Sequence, residues 1–242
     1  YNISPETMIG YDEGVVNVEN MLNQKSDLSG LDGATITPNG ARFRTDKQGF
    51  LPELMDKLYK ERVIYKNKMA KAKALYEETG DKRLKNDITK NYNIQLSRKI
   101  ALNSAYGAIG NQYFRYYDVR QAAGITTAGQ FIIRFIEKKV NKYLNEILQS
   151  EVNRDYIVAS DTDSIYVRFD KLVEKTCQGK SQEQIIDFLG KVCDNKIEPF
   201  IEKCFDELSD YSNAFKNAMV MKREVVANKG IWVAKKRYML NV

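Results

Sequence analysis

The 242-residue sequence contains no histidine. That absence removes the commonest general base, the Ser/His and Cys/His nucleophile pairs, and imidazole metal ligation together. Chemistry in this chain must run on carboxylates, Lys, Arg, Tyr or metal ions held by oxygen. Cysteine is scarce as well: Cys177, Cys193 and Cys204 are an odd number and form no C-x-x-C pair. This pattern supports neither a disulfide framework nor a zinc finger, and the thiols are expected as small buried apolar groups. No run of about 18 apolar residues occurs, and the first thirty residues lack a basic segment followed by an apolar stretch. The expectation is a soluble protein of a reducing compartment, without a membrane partner. Prolines number only four and no low-complexity segment or internal repeat interrupts the chain.

What is abundant is charge, unevenly placed. Residues 51–99 carry thirteen Lys/Arg against seven Asp/Glu, an excess of six that equals the net charge of the whole chain. The remainder is neutral. A basic segment of this kind fits either a solvated helical hairpin or a surface for a polyanion.

Apolar periodicity supplies the elements. Residues 1–33, rich in Asn, Asp, Gly and Ser, read as irregular. Thr35–Thr37 and Ala41–Arg44 read as a hairpin, with Asn39-Gly40 providing the positive φ angles of its turn. Leu51, Leu54, Met55 and Leu58 open a helix expected to run to about Glu78 and stop at Gly80. Ile88, Tyr92, Leu96 and Ile100 mark a second helix from about Leu84 to Ala105, antiparallel to the first. A third runs from Val119 to Leu148, with Ile125, Ile132, Phe135, Ile136, Tyr143, Leu144 and Ile147 as its apolar stripe. Strands are expected at Tyr156–Ala159 and Ile165–Phe169, a helix over Gln182–Phe205, and strands at Ala218–Val226 and Gly230–Leu240.

Between the first two of those strands lies Ser160-Asp161-Thr162-Asp163-Ser164. If the backbone there is extended, Asp161 and Asp163 project from one face. Two adjacent carboxylates repel unless a cation neutralises them, and a hard divalent ion such as Mg2+ prefers oxygen ligands. Asp-x-Asp is a common string, and taken alone it reads first as an ordinary polar turn.

Three strings in order give the pattern a context. Asp161-Thr162-Asp163-Ser164-Ile165-Tyr166 resembles the D-T-D-S signature of family B DNA polymerases. Lys99-Ile100-Ala101-Leu102-Asn103-Ser104-Ala105-Tyr106-Gly107 resembles that family's K-x-x-x-N-S-x-Y-G element, and Lys235-Lys236-Arg237-Tyr238 its K-K-R-Y element. Asn2–Thr7, Asp46–Pro52 and Phe114–Asp118 are also similar to the T-even phage type, so the resemblance covers essentially the whole chain.

The resemblance implies an α+β fold: a polymerase palm, in which an antiparallel sheet is backed by helices, with an inserted antiparallel two-helix fingers subdomain. Residues 1–48 would be an N-terminal palm segment, 49–107 the fingers and 108–242 the rest of the palm. It implies nucleotidyl transfer from a dNTP to the 3′ end of a DNA primer with two Mg2+ ions. Asp163 would be the principal metal ligand and catalytic residue, with Asp161 supporting it. Arg62, Lys66 and Lys99 would contact the triphosphate, Asn103 and Tyr106 would wall the nascent base pair, and Gly107 would permit close approach of backbone. Lys235, Lys236, Arg237 and Tyr238 would hold the primer–template duplex. Glu224, on an expected strand, would lie near the metals.

The implied setting is the cytoplasm of an infected bacterial host, with a sliding clamp and further polymerase segments as possible partners. The family's first aspartate motif would precede Asn2-Ile3-Ser4-Pro5, and Tyr1 opens the sequence; the expectation is therefore that this chain alone polymerises poorly. Two alternatives stand beside this reading: a non-catalytic DNA-binding module built on the basic hairpin, and the palm part of a split polymerase. A metal-dependent nuclease on the same carboxylates would leave the Lys99–Gly107 string without a role.

Overall fold

The computed structural model describes every residue except Val15 and Glu151. In chain order the first elements are β1 (Met8–Tyr11), α1 (Val18–Leu22), β2 (Ala34–Ile36), β3 (Ala41–Arg44), α2 (Phe50–Thr79), α3 (Leu84–Ile109) and α4 (Val119–Leu148). They are followed by β4 (Ile157–Asp161), β5 (Ser164–Val167), α5 (Asp170–Thr176), α6 (Gln182–Val192), a π-helical turn (Cys193–Ile197), α7 (Glu198–Tyr211), β6 (Lys229–Ala234) and β7 (Arg237–Asn241). The chain is a mixed α+β protein. Its described strands form three small antiparallel sheets, ordered β1-β3-β2, β4-β5 and β6-β7. Contacts divide it into two units, Tyr1–Asn17 with Ser29–Thr127, and Val18–Leu28 with Ala128–Val242.

In the first unit the β2–β3 turn closes through Thr37-Pro38-Asn39-Gly40, with the Gly40 N–H donating to the Thr37 carbonyl at 2.8 Å. Gly40 alone takes a positive φ, +92°, and Asn39 does not. The turn is thus a proline-initiated turn ending in one left-handed residue, not the doubly left-handed form expected from Asn-Gly. The segment before it is less irregular than expected, because β1 pairs with β3 from Met8 to Tyr11. Asn2 holds this region to the start of α2: its amide donates to the carbonyls of Arg44 and Lys47, both at 2.8 Å, and accepts from the Gly49 N–H at 2.8 Å.

Helix α2 has no side-chain cap of its own. Its free N–H groups are met from a distance, Phe50 donating to the Glu6 carboxylate at 2.5 Å and Leu51 to the Ser4 hydroxyl at 3.4 Å. A negative charge at a helix start is favourable. Burial works against ionisation of Glu6, yet the hydrogen bonds from Ser4 and Phe50 hold its pKa below the ordinary value. The helix ends at Gly80, as expected, with φ +68°.

Helix α3 returns antiparallel to α2. Lys85 lies over the Tyr76 ring at 5.4 Å, Arg98 pairs with Glu61 at 2.6 Å, and Ile109 packs with Leu51 and Ala122. These three contacts advance along α3 as they recede along α2. Only Leu51 in α2, and Gln95 and Ile109 in α3, are buried. The two helices therefore show most of their circumference to solvent.

The second unit is built differently. Within it α4 buries Phe131, Phe135, Ile136, Val140, Leu144 and Leu148, which recur every four residues, with Phe135 and Ile136 adjacent, on one stripe. Tyr143 stacks on Phe200 of α7 with ring centroids 4.0 Å apart, and Lys139 pairs with Glu207. Arg134 pairs with Glu19 of α1 at 2.6 Å. Ile147, expected on the apolar stripe, is instead exposed. Asn141 and Asn145 accept the backbone N–H groups of Tyr156 and Arg154 at 2.7 and 2.9 Å, which fixes the entry into β4.

A full capping box at Ser181 and Gln184 starts α6. The helical run expected over Gln182–Phe205 continues to Tyr211 but widens into the π-helical turn just before Pro199. Proline has no N–H to return to the preceding turn and its ring crowds the carbonyl there, so the widening relieves both conflicts. The three cysteines are free and buried.

Residues 218–226, expected as a strand, form none. Side chains of neighbouring helices take their hydrogen bonds instead: the Arg223 N–H donates to Glu198 at 2.8 Å, and its guanidinium pairs with Asp194 at 3.3 Å. The expected strand Gly230–Leu240 is two strands, paired antiparallel about Lys235-Lys236. No helix among the described residues is long and apolar enough to cross a membrane.

Candidate functional site

Asp161 and Ser164 form the last pair of the β4–β5 ladder, so Thr162 and Asp163 make the turn. Thr162 adopts φ +54°, and the Asp163 N–H donates to the Asp161 carbonyl at 2.6 Å. This is a γ-turn with a β-branched residue at its left-handed centre, a conformation that costs energy in any L-residue other than glycine. The Ser164 hydroxyl donates to the same carbonyl at 3.2 Å, and the Thr162 hydroxyl donates to the Asp161 carboxylate at 2.9 Å. Asp161 is therefore half-buried and oriented, whereas Asp163 is exposed and its carboxylate has no partner among the described residues. The chain is not extended through Thr162, so the alternation that would place both carboxylates on one face does not apply.

The turn of the neighbouring hairpin β6–β7 approaches this tip. Lys236, itself left-handed with φ +62°, brings its ammonium to 3.9 Å from the Asp161 carboxylate. Tyr166 meets Trp232 and Tyr238 edge-on, with centroids 5.3 and 5.2 Å apart, and Trp232 faces Tyr238 across the strands. Hydrogen bonding to Tyr238, together with burial, raises the Tyr166 phenol above its ordinary pKa. Lys235, Lys236 and Arg237 were expected as the basic end of one strand; they stand at the exposed tip of a hairpin instead. No Gly or Asn marks that turn in the sequence, which is why it was not anticipated. Tyr166 and Trp232 had no expected role, although a pair of aromatics on adjacent strands is a recognisable packing signal.

As a metal site the hairpin offers the right donor type in small number. Two carboxylates suit a hard cation. No group of three or more acidic or thiol side chains among the described residues is placed to hold an ion. Glu224, in the irregular segment, is exposed.

The cations expected at the triphosphate lie in the first unit, on α2 and α3. Arg62 is half-buried, with its Nε buried and unpartnered, and Lys66 and Lys99 are exposed. None of the three forms an ion pair among the described residues, whereas Lys60 is held by Asp56 and Arg98 by Glu61, each at 2.6 Å. Asn103, Tyr106 and Gly107 are exposed on the last turns of α3, which runs beyond the expected Ala105 to Ile109. A Cβ added at Gly107 would meet nothing within 4 Å. No contact inside the chain thus compensates the cost, about 1 kcal/mol, of glycine inside a helix.

The sequence model of DNA polymerase family B matches residues 1–240. The DNA-directed DNA polymerase of Escherichia phage RB69 is 34% identical over all of this chain and 32% of its own length. That of Enterobacteria phage T4 is 44% identical, covering 61% of this chain and 18% of its own length. A DNA polymerase of Choristoneura biennis entomopoxvirus is 27% identical over 66% of the chain. This chain belongs to DNA polymerase family B. It spans about a third of the length of the RB69 relative.

Proposed function

We propose that the chain is a palm-and-fingers segment of a template-directed DNA polymerase, adding deoxynucleotides from a dNTP to a primer 3′ end. Residues 49–107 would be the fingers and the flanking segments palm. The observation that carries this reading is the D-T-D-S turn, which holds Asp163 exposed and unpaired at the tip of a strained hairpin in a chain of the polymerase family. Asp161 and Asp163 are assigned to Mg2+, which when bound would activate the primer hydroxyl and hold the triphosphate. Arg62, Lys66 and Lys99 neutralise phosphate oxygens, a role open to them because no carboxylate among the described residues has taken their charge. Asn103 and Tyr106 bound the base pair. Gly107 lets a partner outside the chain approach the helix backbone. Lys235, Lys236, Arg237 and Tyr238 take the duplex by sequence-independent contacts.

The test is Mn2+ titration with a dNTP present, followed by electron paramagnetic resonance. Bound ion should be lost in the Asp163→Ala protein. The many unpaired cations on α2 and α3 favour a second reading, a non-catalytic DNA-binding module. Under that reading Asp163→Ala retains whatever Mn2+ the chain binds, and that result would overturn the polymerase assignment.

A further inference from the structure

The β6–β7 hairpin is exposed along all of β6 and, but for Leu240, along β7. A two-stranded hairpin is marginal by itself in water, so contacts outside it must hold its tip in place. Exposure within β6 shows where they lie. Ile231 and Val233 stand 58% and 66% exposed, whereas Trp232 between them falls to 37%. Trp232 turns toward β5, where it meets Tyr166 edge-on at 5.3 Å. Its indole also lies along its own strand over the bare backbone of Gly230, where an added Cβ would stand 2.7 Å from the ring carbon Cη2. Glycine at 230 is the space the ring occupies. Tyr238, the cross-strand partner of Trp232, meets the same Tyr166 ring from β7. With the hairpin docked in this way, its turn delivers Lys236 to Asp161 at 3.9 Å.

An ammonium beside a carboxylate opposes a divalent cation at the same oxygens, both by repelling it and by satisfying the negative charge it would answer. We propose that Trp232 is a positioning residue: docked on Tyr166, it seats the β6–β7 tip so that Lys236 competes with a divalent cation for Asp161. The inference rests on the assignment of Asp161 to Mg2+ made above. Trp232 acts through Tyr166 and Lys236. A duplex whose phosphates draw Lys236 away leaves Asp161 to the cation, so primer–template and metal favour each other's binding, and by linkage the preference is mutual.

Trp232 is the sole tryptophan of the chain, so its fluorescence reports the docking directly. Tyr166→Ala removes the surface it docks on, and Gly230→Ala displaces the ring without deleting it; both should shift its emission to the red. Mn2+ affinity of the full chain, read by electron paramagnetic resonance, should tighten about two- to fivefold in Trp232→Ala, the worth of one exposed ion pair. Trp232→Phe keeps an aromatic edge for Tyr166 and should stay near the parent value. Lys236→Met should tighten binding by the same factor, and adding Trp232→Ala to it should change nothing further. A merely structural role for the indole predicts the opposite sign, weaker Mn2+ binding that adds to the effect of Lys236→Met. Weakened or unchanged Mn2+ binding in Trp232→Ala overturns the proposal, as does unshifted emission in both Tyr166→Ala and Gly230→Ala. When either result comes with loss of Mn2+ in Asp163→Ala, this inference fails alone and the polymerase assignment stands.

Discussion

The β2–β3 hairpin turns with glycine at its single left-handed position, and the β4–β5 hairpin turns with threonine at its own. Nearby carboxylates differ in the same sense. Around the first turn Asp12 is paired with Arg42 at 2.9 Å, and in the same unit Asp118 caps α4 and grips Arg120. At the second, Asp163 has no partner among the described residues. One region has used its polar groups and its glycine to make the fold relaxed; the other retains strain and an unanswered charge. Strain in a folded protein persists only where the surroundings hold it, and such positions gather at sites that bind or react. A glycine-for-side-chain exchange should therefore act in opposite directions at the two turns.

The largest effect is expected from Gly40→Ala. A Cβ there would lie 2.2 Å from the Asp12 carbonyl oxygen, a backbone atom that cannot move aside cheaply, and φ is +92°. A loss of about 3 kcal/mol is expected from the clash and the backbone conformation together, read from the urea unfolding midpoint. A loss below about 1 kcal/mol would show that the first turn is not the rigid one.

Next comes Asp118→Asn, at about 1–2 kcal/mol. Its carboxylate accepts from the Arg120 backbone at 2.9 Å and from two guanidinium nitrogens, Nε and Nη2. Arg120 holds its pKa below the ordinary 3.8, against the effect of burial. A depressed folded pKa means the stabilisation is complete above the unfolded value and is lost as pH falls through the folded one. Acid titration of stability should thus show a limb below pH about 4 that is shallower in the Asn variant.

Thr162→Gly should run the other way, stabilising by about 1 kcal/mol as left-handed strain is relieved. The same variant loses the hydroxyl that orients Asp161, so cation binding should weaken as thermal stability rises. A destabilised variant would mean the turn is not strained, and the contrast with Gly40 would disappear.

These contrasts mark the limits of what the sequence discloses. Helices α2 and α4 were legible almost to the residue, because long apolar periodicities and Gly80 specify them locally. The position of Asp161 and Asp163 at a hairpin tip was legible too, from two short apolar runs around a polar string. The left-handed backbone at Thr162 and Lys236 was not, since neither residue prefers it and only the pairing of the flanking strands imposes it. Residues 218–226 misled for a related reason: alternating Met219 and Met221 mimic a strand, but Asp194 and Glu198, distant in sequence, take the hydrogen bonds of Arg223. The end of α3 was expected near Ala105, whereas the helix runs through Gly107 to Ile109.

The smallest stability effect should come from Asp163→Ala without divalent ions: within about 0.5 kcal/mol of zero, since an exposed, unpaired side chain leaves nothing behind. Its sign should be favourable if anything, because the change removes a negative charge beside Asp161, whose one ion pair among the described residues is Lys236 at 3.9 Å. The contrast with Asp118 then sharpens on adding Mn2+. A ligand that binds only the native state raises stability in proportion to the logarithm of its concentration over its dissociation constant. The parent protein should therefore melt later in Mn2+, increasingly so with dose, and the Asp163→Ala protein should not. Equal shifts in both would place the bound ion elsewhere and make the unpaired carboxylate an ordinary turn residue.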